Sequence, residues 1–169
     1  MKAPLPQAYP SVVHMLVAAA GRAAESEALV FQGRRLRFAE YLACVGGFAR
    51  ELESLGARGE RVATLLDNSI EACVAAFGIL AAGAQHVPLN PLYTSRELGL
   101  ILSDAAPRVL VAHEAYAGTA APVARQTGIR HLITVGAGTR LLDAWRNEAA
   151  ILPPLPEPDS LALLQYTGG

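Results

Sequence analysis

Apolar positions along this chain change their spacing several times, and each change marks an element. A short apolar run over residues 12–20 follows Pro10-Ser11; Ser11 is placed to cap a helix there, and Gly21 is expected to close it. Residues 29–31 and 34–37 alternate like two short strands around Gln32-Gly33, which predicts a small hairpin. From Phe38 onward the period becomes about 3.6. Phe38, Tyr41, Leu42, Val45, Phe48, Leu52 and Leu55 fall on one helical face, and Gly56 ends the helix. Gly46-Gly47 lies in its middle, where each glycine costs about 1 kcal/mol relative to alanine. Close packing against another element would account for them.

After Gly59 the chain alternates strand and helix. Residues 61–66 (RVATLL) form a nearly continuous apolar run, the kind buried on both faces of a parallel sheet. Asn68 is read as the start of a helix over 69–82, with Glu71 in a capping-box position and Gly83 as its stop. That helix is apolar nearly all round, so Val74, Phe77 and Leu80 are expected to be almost fully buried. Residues 86–89 make a short strand, and Asn90-Pro91 a turn. Thr94 and Glu97 form another capping box, ahead of a helix whose inner face carries Leu98, Ile101 and Leu102. Strands at 108–112 and 130–135 follow, with a helix near 115–126 between them and a short helix over 141–149 after them. The proline-rich stretch 153–158 reads as an extended connection. A further apolar run, 161–165, is expected to be a buried strand. Repeated strand–helix–strand units predict an α/β fold, a mainly parallel sheet flanked by helices on both faces, with 61–66, 108–112 and 130–135 as central strands.

Composition narrows the class. Hydrophobic residues make up 52% and charged residues 17%, which excludes a disordered chain. Net charge is -1 and no basic stripe exists, so nucleic acid is not an expected partner. Lys2 precedes the apolar run at 12–20, but a single positive charge, three prolines and His14 favour an amphipathic helix over a signal peptide. Cys44 and Cys73 both sit in apolar helical patterns, as expected of free thiols in the cytoplasm.

Candidate chemistry concentrates at the end of the chain. An apolar strand runs into Tyr166-Thr167-Gly168-Gly169, a composition suited to turning backbone N–H groups toward an anion. By itself Thr-Gly-Gly is also an ordinary strand-ending turn. Gly136-Ala137-Gly138 follows a strand, as a dinucleotide fingerprint would, but Leu141 stands at the position of the third glycine. His14, His86, His113 and His131 show no metal-ligand spacing. His86, before the turn at Asn90, is the one histidine singled out. No Gly-x-Ser-x-Gly nucleophile setting occurs.

The run LLQYTGG resembles the start of the threonine- and glycine-rich phosphate loop of the acyl-adenylate-forming family, which includes acyl-CoA synthetases, peptide-synthetase adenylation domains and luciferases. LRFAEYLACVGGFARELESLGARGERVATLL is similar to that family's first long helix, glycine turn and strand. DNSIEACVAAFGILAAGAQHVPLNPLYTSREL and LILSDAAPRVLV resemble its next steps, in order. The likeness spans roughly residues 29–169. Asp67 stands where the family usually has proline.

The resemblance implies that residues 1–169 form an incomplete N-terminal, AMP-binding domain that breaks off inside the phosphate loop, with the C-terminal domain absent. For an intact parent it implies ATP, Mg²⁺ and CoA, and a carboxylic acid, fatty or aromatic, that becomes an acyl-AMP and then a thioester. Tyr166, Thr167, Gly168 and Gly169 would open the phosphate cradle. No catalytic residue and no metal ligand carries over, and the chain alone is expected to bind no cofactor, to be inactive, and to self-associate through uncovered apolar surface. The alternative is a non-catalytic α/β binding or assembly module.

Overall fold

The computed structural model describes residues 8–136 and 140–167. Helix α1 (Val12–Ala23) begins where the Ser11 hydroxyl accepts from the His14 N–H at 3.4 Å. It does not stop at Gly21 but runs through it. Nothing lies within 4 Å of a Cβ added there, so this exposed glycine costs only its propensity. Strands β1 (Glu27–Phe31) and β2 (Arg34–Arg37) form the expected hairpin. Its two turn residues, Gln32 and Gly33, have φ of 48° and 79°, as a type I′ turn requires.

Helix α2 (Phe38–Ser54) buries Tyr41, Val45, Phe48 and Leu52 as its periodicity predicts. Its paired glycines have a packing reason. A Cβ on Gly46 would run into the Ile151 carbonyl, and one on Gly47 into the Trp145 ring. The stretch after the short α6 (Arg140–Asp143) thus lies directly on α2, held also by an Arg146–Glu40 ion pair at 2.8 Å. Helical structure stops at Asp143 and does not reach Ala149, although Leu141 and Leu142 are buried.

The sheet contains β3 (Arg61–Leu65), β4 (Gln85–Leu89), β5 (Val109–His113) and β6 (His131–Val135), all parallel, in the order β4-β3-β5-β6. Helices α3 (Ile70–Ala81), α4 (Ser95–Ala105) and α5 (Ala117–Gln126) link successive strands. Alternate residues feed two cores. Val62, Val109, Val111, Ile133 and Val135 pack with α1, α2 and α3. Ala63, Leu65, Val87, Leu110 and Ala112 pack with α4 and α5. The α/β fold with helices on both faces is as expected.

Four further expectations are corrected. Strand β6, read as central, pairs only with β5 among the described residues, and Leu132 is 37% exposed. Burial alternates along β6, whereas the central β3 and β5 are buried on both faces. Residues 161–165 are not a buried strand: a single parallel bridge, His86↔Leu163, joins them to β4, and Leu161 and Leu163 are half exposed. Helix α3 is capped by Ser69, whose Oγ accepts from the Ala72 N–H at 3.1 Å, rather than by Asn68 with Glu71. Glu71 is instead buried and paired with Arg34 of β2 at 2.7 Å. Finally, Val74 is fully buried but Phe77 and Leu80 are only partly so. Phe77 stands edge-on to Tyr41, ring centroids 5.7 Å apart, and lines an apolar pocket between α3 and β1.

The second capping box holds: Thr94 N–H donates to Glu97 Oε2 at 2.7 Å, and the Thr94 hydroxyl accepts from the Glu97 N–H. Gly56 and Gly83 both end helices. No helix among the described residues is long and apolar enough to cross a membrane.

Candidate functional site

Open parallel sheets place ligands outside the carboxyl ends of their strands, because that is where loops diverge to opposite faces. In this chain β3 leads to α3 on one face while β5 leads to α5 on the other. Between them opens a polar pocket of about 510 Å³, lined by Arg34, Asp67, Asn68, Ser69, His113 and Asp143 among others. Asp67, the departure from the proline usual in the resembling family, accepts from the Tyr116 hydroxyl at 2.5 Å. His113 Nδ1 accepts from the Ala115 N–H at 3.2 Å. The Asp67–Tyr116 bond spans the two strand ends, while the His113 contact is local. Sequence spacing gives no sign of them, since Asp67 and Tyr116 meet only once β3 and β5 pair.

The segment leading to Tyr166 and Thr167 lies beside β4, at the edge of the sheet. The His86 N–H donates to the Ala162 carbonyl and the Leu164 N–H to the His86 carbonyl, each at 2.9 Å, so 161–165 runs parallel to β4 as an incipient strand. Leu164 and Tyr166 lean on the core under α4 and α5. The Tyr166 hydroxyl donates to Asp104 Oδ2 at 2.6 Å, and Thr167 is exposed. Gly168 and Gly169 lie outside the described residues, as do Ala137 and Gly138 of the Gly-Ala-Gly stretch. At Gly136 itself, a Cβ would strike the Glu114 side chain, which gives that glycine a packing role.

His86, the histidine singled out above, faces the other way. Its Nε2 lies 2.8 Å from Thr64 Oγ1, and burial pushes the imidazole down to about 4 from its ordinary 6.5. A depressed histidine stabilises the fold while neutral; that stability is present above about pH 6.5 and is lost as pH falls toward 4. Carboxylates contribute in the same direction, so the comparison must isolate one ring. We expect the wild type to lose more denaturant stability between pH 7 and pH 5 than His86→Gln does. Equal losses would assign the acid sensitivity elsewhere.

Among the described residues no group of three His, Cys, Asp or Glu side chains is placed to hold a metal. Cys44 and Cys73 are free, and burial pushes both thiols up, Cys44 to about 12. Neither is poised as a nucleophile.

A family model described as AMP-binding enzyme matches residues 16–169. The chain belongs to that family. Within the AMP-binding family, a long-chain-fatty-acid–CoA ligase of Salmonella typhimurium is 36% identical over 141 residues, which are 82% of this chain and 25% of that ligase. Among solved structures, the anthranilate CoA ligase AuaEII in complex with anthranoyl-AMP matches 98% of this chain and 32% of its own, with 26% identity and a TM-score of 0.83. ATP-bound MatB from Rhodopseudomonas palustris matches 91% of this chain and 31% of its own, with 27% identity and a TM-score of 0.77. The chain therefore spans about a quarter to a third of the length of these relatives. Its sheet and flanking helices are those of N-terminal domains in adenylate-forming enzymes.

Proposed function

We propose that this chain forms the first part of an ATP-dependent carboxylate–CoA ligase, an incomplete AMP-binding domain whose Tyr166, Thr167, Gly168 and Gly169 open the loop that receives the phosphates of ATP. One observation carries the reading. The family match runs through this stretch, and the described segment that leads into it runs parallel to the edge strand β4.

The reaction of the whole protein would have two steps. A carboxylate oxygen attacks the α-phosphate of ATP, giving acyl-AMP and releasing pyrophosphate. The sulfur of coenzyme A then attacks the acyl carbon, giving the thioester and releasing AMP. The relatives that act on long-chain fatty acids and on anthranilate support a fatty or aromatic acid as substrate. ATP-bound and acyl-AMP-bound neighbours support the nucleotide.

The residues at hand suit positioning and charge stabilisation rather than bond-making. Thr167 is exposed, so its hydroxyl is free to donate to a phosphate oxygen. Gly168 and Gly169 have no side chain to bar close approach of their amides. No group of three metal-ligating side chains occurs among the described residues, and no Mg²⁺ ligand is assigned. None is assigned to CoA either.

The decisive assay uses the full-length product of the reading frame that carries this chain. Pyrophosphate release should require ATP, Mg²⁺ and one member of a panel of fatty and aromatic acids, and thioester should form only when CoA is added. Release that no acid stimulates would overturn the reading.

A further inference from the structure

Residues 161–165 are bonded to the sheet through one residue. Both backbone hydrogen bonds between this segment and β4 fall on His86: its N–H donates to the Ala162 carbonyl and its carbonyl accepts the Leu164 N–H, each at 2.9 Å. Leu163 is the register partner of His86, so its side chain stands beside the imidazole on the same face of the sheet, where it is half exposed. A segment with so few backbone bonds and so little apolar burial opens locally, without unfolding the rest. The His86 ring shares its face with Val62 of β3, the face that α3 covers, and its Nε2 is 2.8 Å from Thr64 Oγ1. Burial is the cause of its depressed ionisation, and among the described residues no charged group contributes. Arg61 of β3 donates to the Ala105 carbonyl of α4, on the opposite face. Glu71 of α3 is paired with Arg34, and burial keeps the Cys73 thiol protonated. His14 of α1 is bonded to the Ser11 hydroxyl, and residues 161–165 carry no titratable side chain.

We propose that residues 161–165 form a proton-sensitive flap: they lie on β4 while the His86 ring is neutral, and they leave the sheet edge as one unit when that ring takes up a proton. A protonated imidazole at this place is a cation whose side-chain partner is a single hydroxyl, and a charge buried with so little compensation is costly. The ring then turns toward water. Among the described residues only 161–165 flank β4 on its outer edge, so the way out passes Leu163 and breaks the two bonds that His86 makes. Linkage fixes the direction. Burial holds the ring at about 4 in the docked form, against an ordinary 6.5 once the segment is open and the ring is in water. Docking is therefore fully favoured above about pH 6.5 and weakens as pH falls toward 4. The inference stands apart from what residues 166–169 bind.

The test is amide hydrogen exchange of the full-length gene product, read by mass spectrometry on peptides covering 161–165 and, for comparison, β3 and β5. Protection of 161–165 should lie well below that of β3 and β5 at every pH, because the flap opens without unfolding the sheet. Between pH 7 and pH 5 its protection factors should fall about ten- to thirtyfold, the change that the two ionisation values imply. His86→Gln keeps a neutral hydrogen-bonding side chain that cannot titrate, and its 161–165 protection should be nearly independent of pH. Should that variant not fold, NMR of the histidine ring protons in the wild type decides instead: one ring must titrate with the same midpoint as the loss of protection. Equal falls in wild type and His86→Gln, or no ring that titrates with the exchange, overturn the proton control. Protection of 161–165 equal to that of β3 and β5 overturns the flap itself, since the segment would then leave only with the whole fold.

Discussion

A polypeptide of residues 1–169 alone releases pyrophosphate from ATP, Mg²⁺ and a panel of fatty and aromatic acids no faster than buffer does. This is the largest effect expected of the molecule, and it follows from which donors these residues supply. Toward a triphosphate they offer the Thr167 hydroxyl and the amides of Gly168 and Gly169. In such a polypeptide those amides precede a free carboxylate, whose charge repels the phosphates they would hold. Removal of a single well-placed transition-state donor already costs about 10²–10³ in rate. Here most of the cradle and the acyl pocket would have to come from elsewhere, consistent with relatives that are three to four times longer. Calorimetry should likewise show weak or no ATP binding. Turnover clearly above background, from protein verified to end at Gly169, would place a complete active site within these residues and defeat the proposed function.

The parts of the fold that could be read from sequence are those set by local spacing. Helix α2 announces itself because Tyr41, Val45, Phe48 and Leu52 repeat at helical spacing and all four are buried. The Thr94–Glu97 box is a contact between residues three apart, so its letters suffice. Strand order is a different kind of fact. Nothing within 130–135 says whether a second neighbour stands beyond β6, and nothing within 161–165 says whether an element covers it. Burial of an apolar run was inferred from its composition, but burial depends on what the rest of the chain lays over it. The same limit applies to the site. Tyr166 and Thr167 stand out as the residues ahead of two glycines, whereas Asp104, which accepts the Tyr166 hydroxyl, lies 62 residues away and carries no motif. Glu71 misled for a related reason: its offset from Asn68 suits a capping box, yet the β1–β2 hairpin brings Arg34 to it and makes the stronger pair.

Replacing Phe48 with alanine should destabilise the fold by about 3–5 kcal/mol, a large share of the roughly 5–15 kcal/mol typical of a domain. Sequence pattern alone gave that role to Phe77, and the structure transfers it. Phe48 has no exposed surface, and its ring lies 6.3 Å from that of Trp145. On the other side it presses on α3 where Gly78 leaves room: a Cβ at Gly78 would come within 2.7 Å of Phe48 Cδ1. The ring is therefore clamped between α3 and the segment after α6, and neither can collapse into the space it would vacate. Gly47 meets Trp145 and Gly46 meets Ile151, so α2 already sits as close to that segment as its backbone permits. A cavity left by Phe48→Ala stays open, which is the circumstance that makes such losses large. Phe77 borders an open apolar pocket instead, and Phe77→Ala should cost distinctly less. Urea melts of the two variants in the same background decide the matter. A loss below about 1 kcal/mol for Phe48→Ala, or a larger loss for Phe77→Ala, would mean that the α2–α3 contact is not the centre of the core.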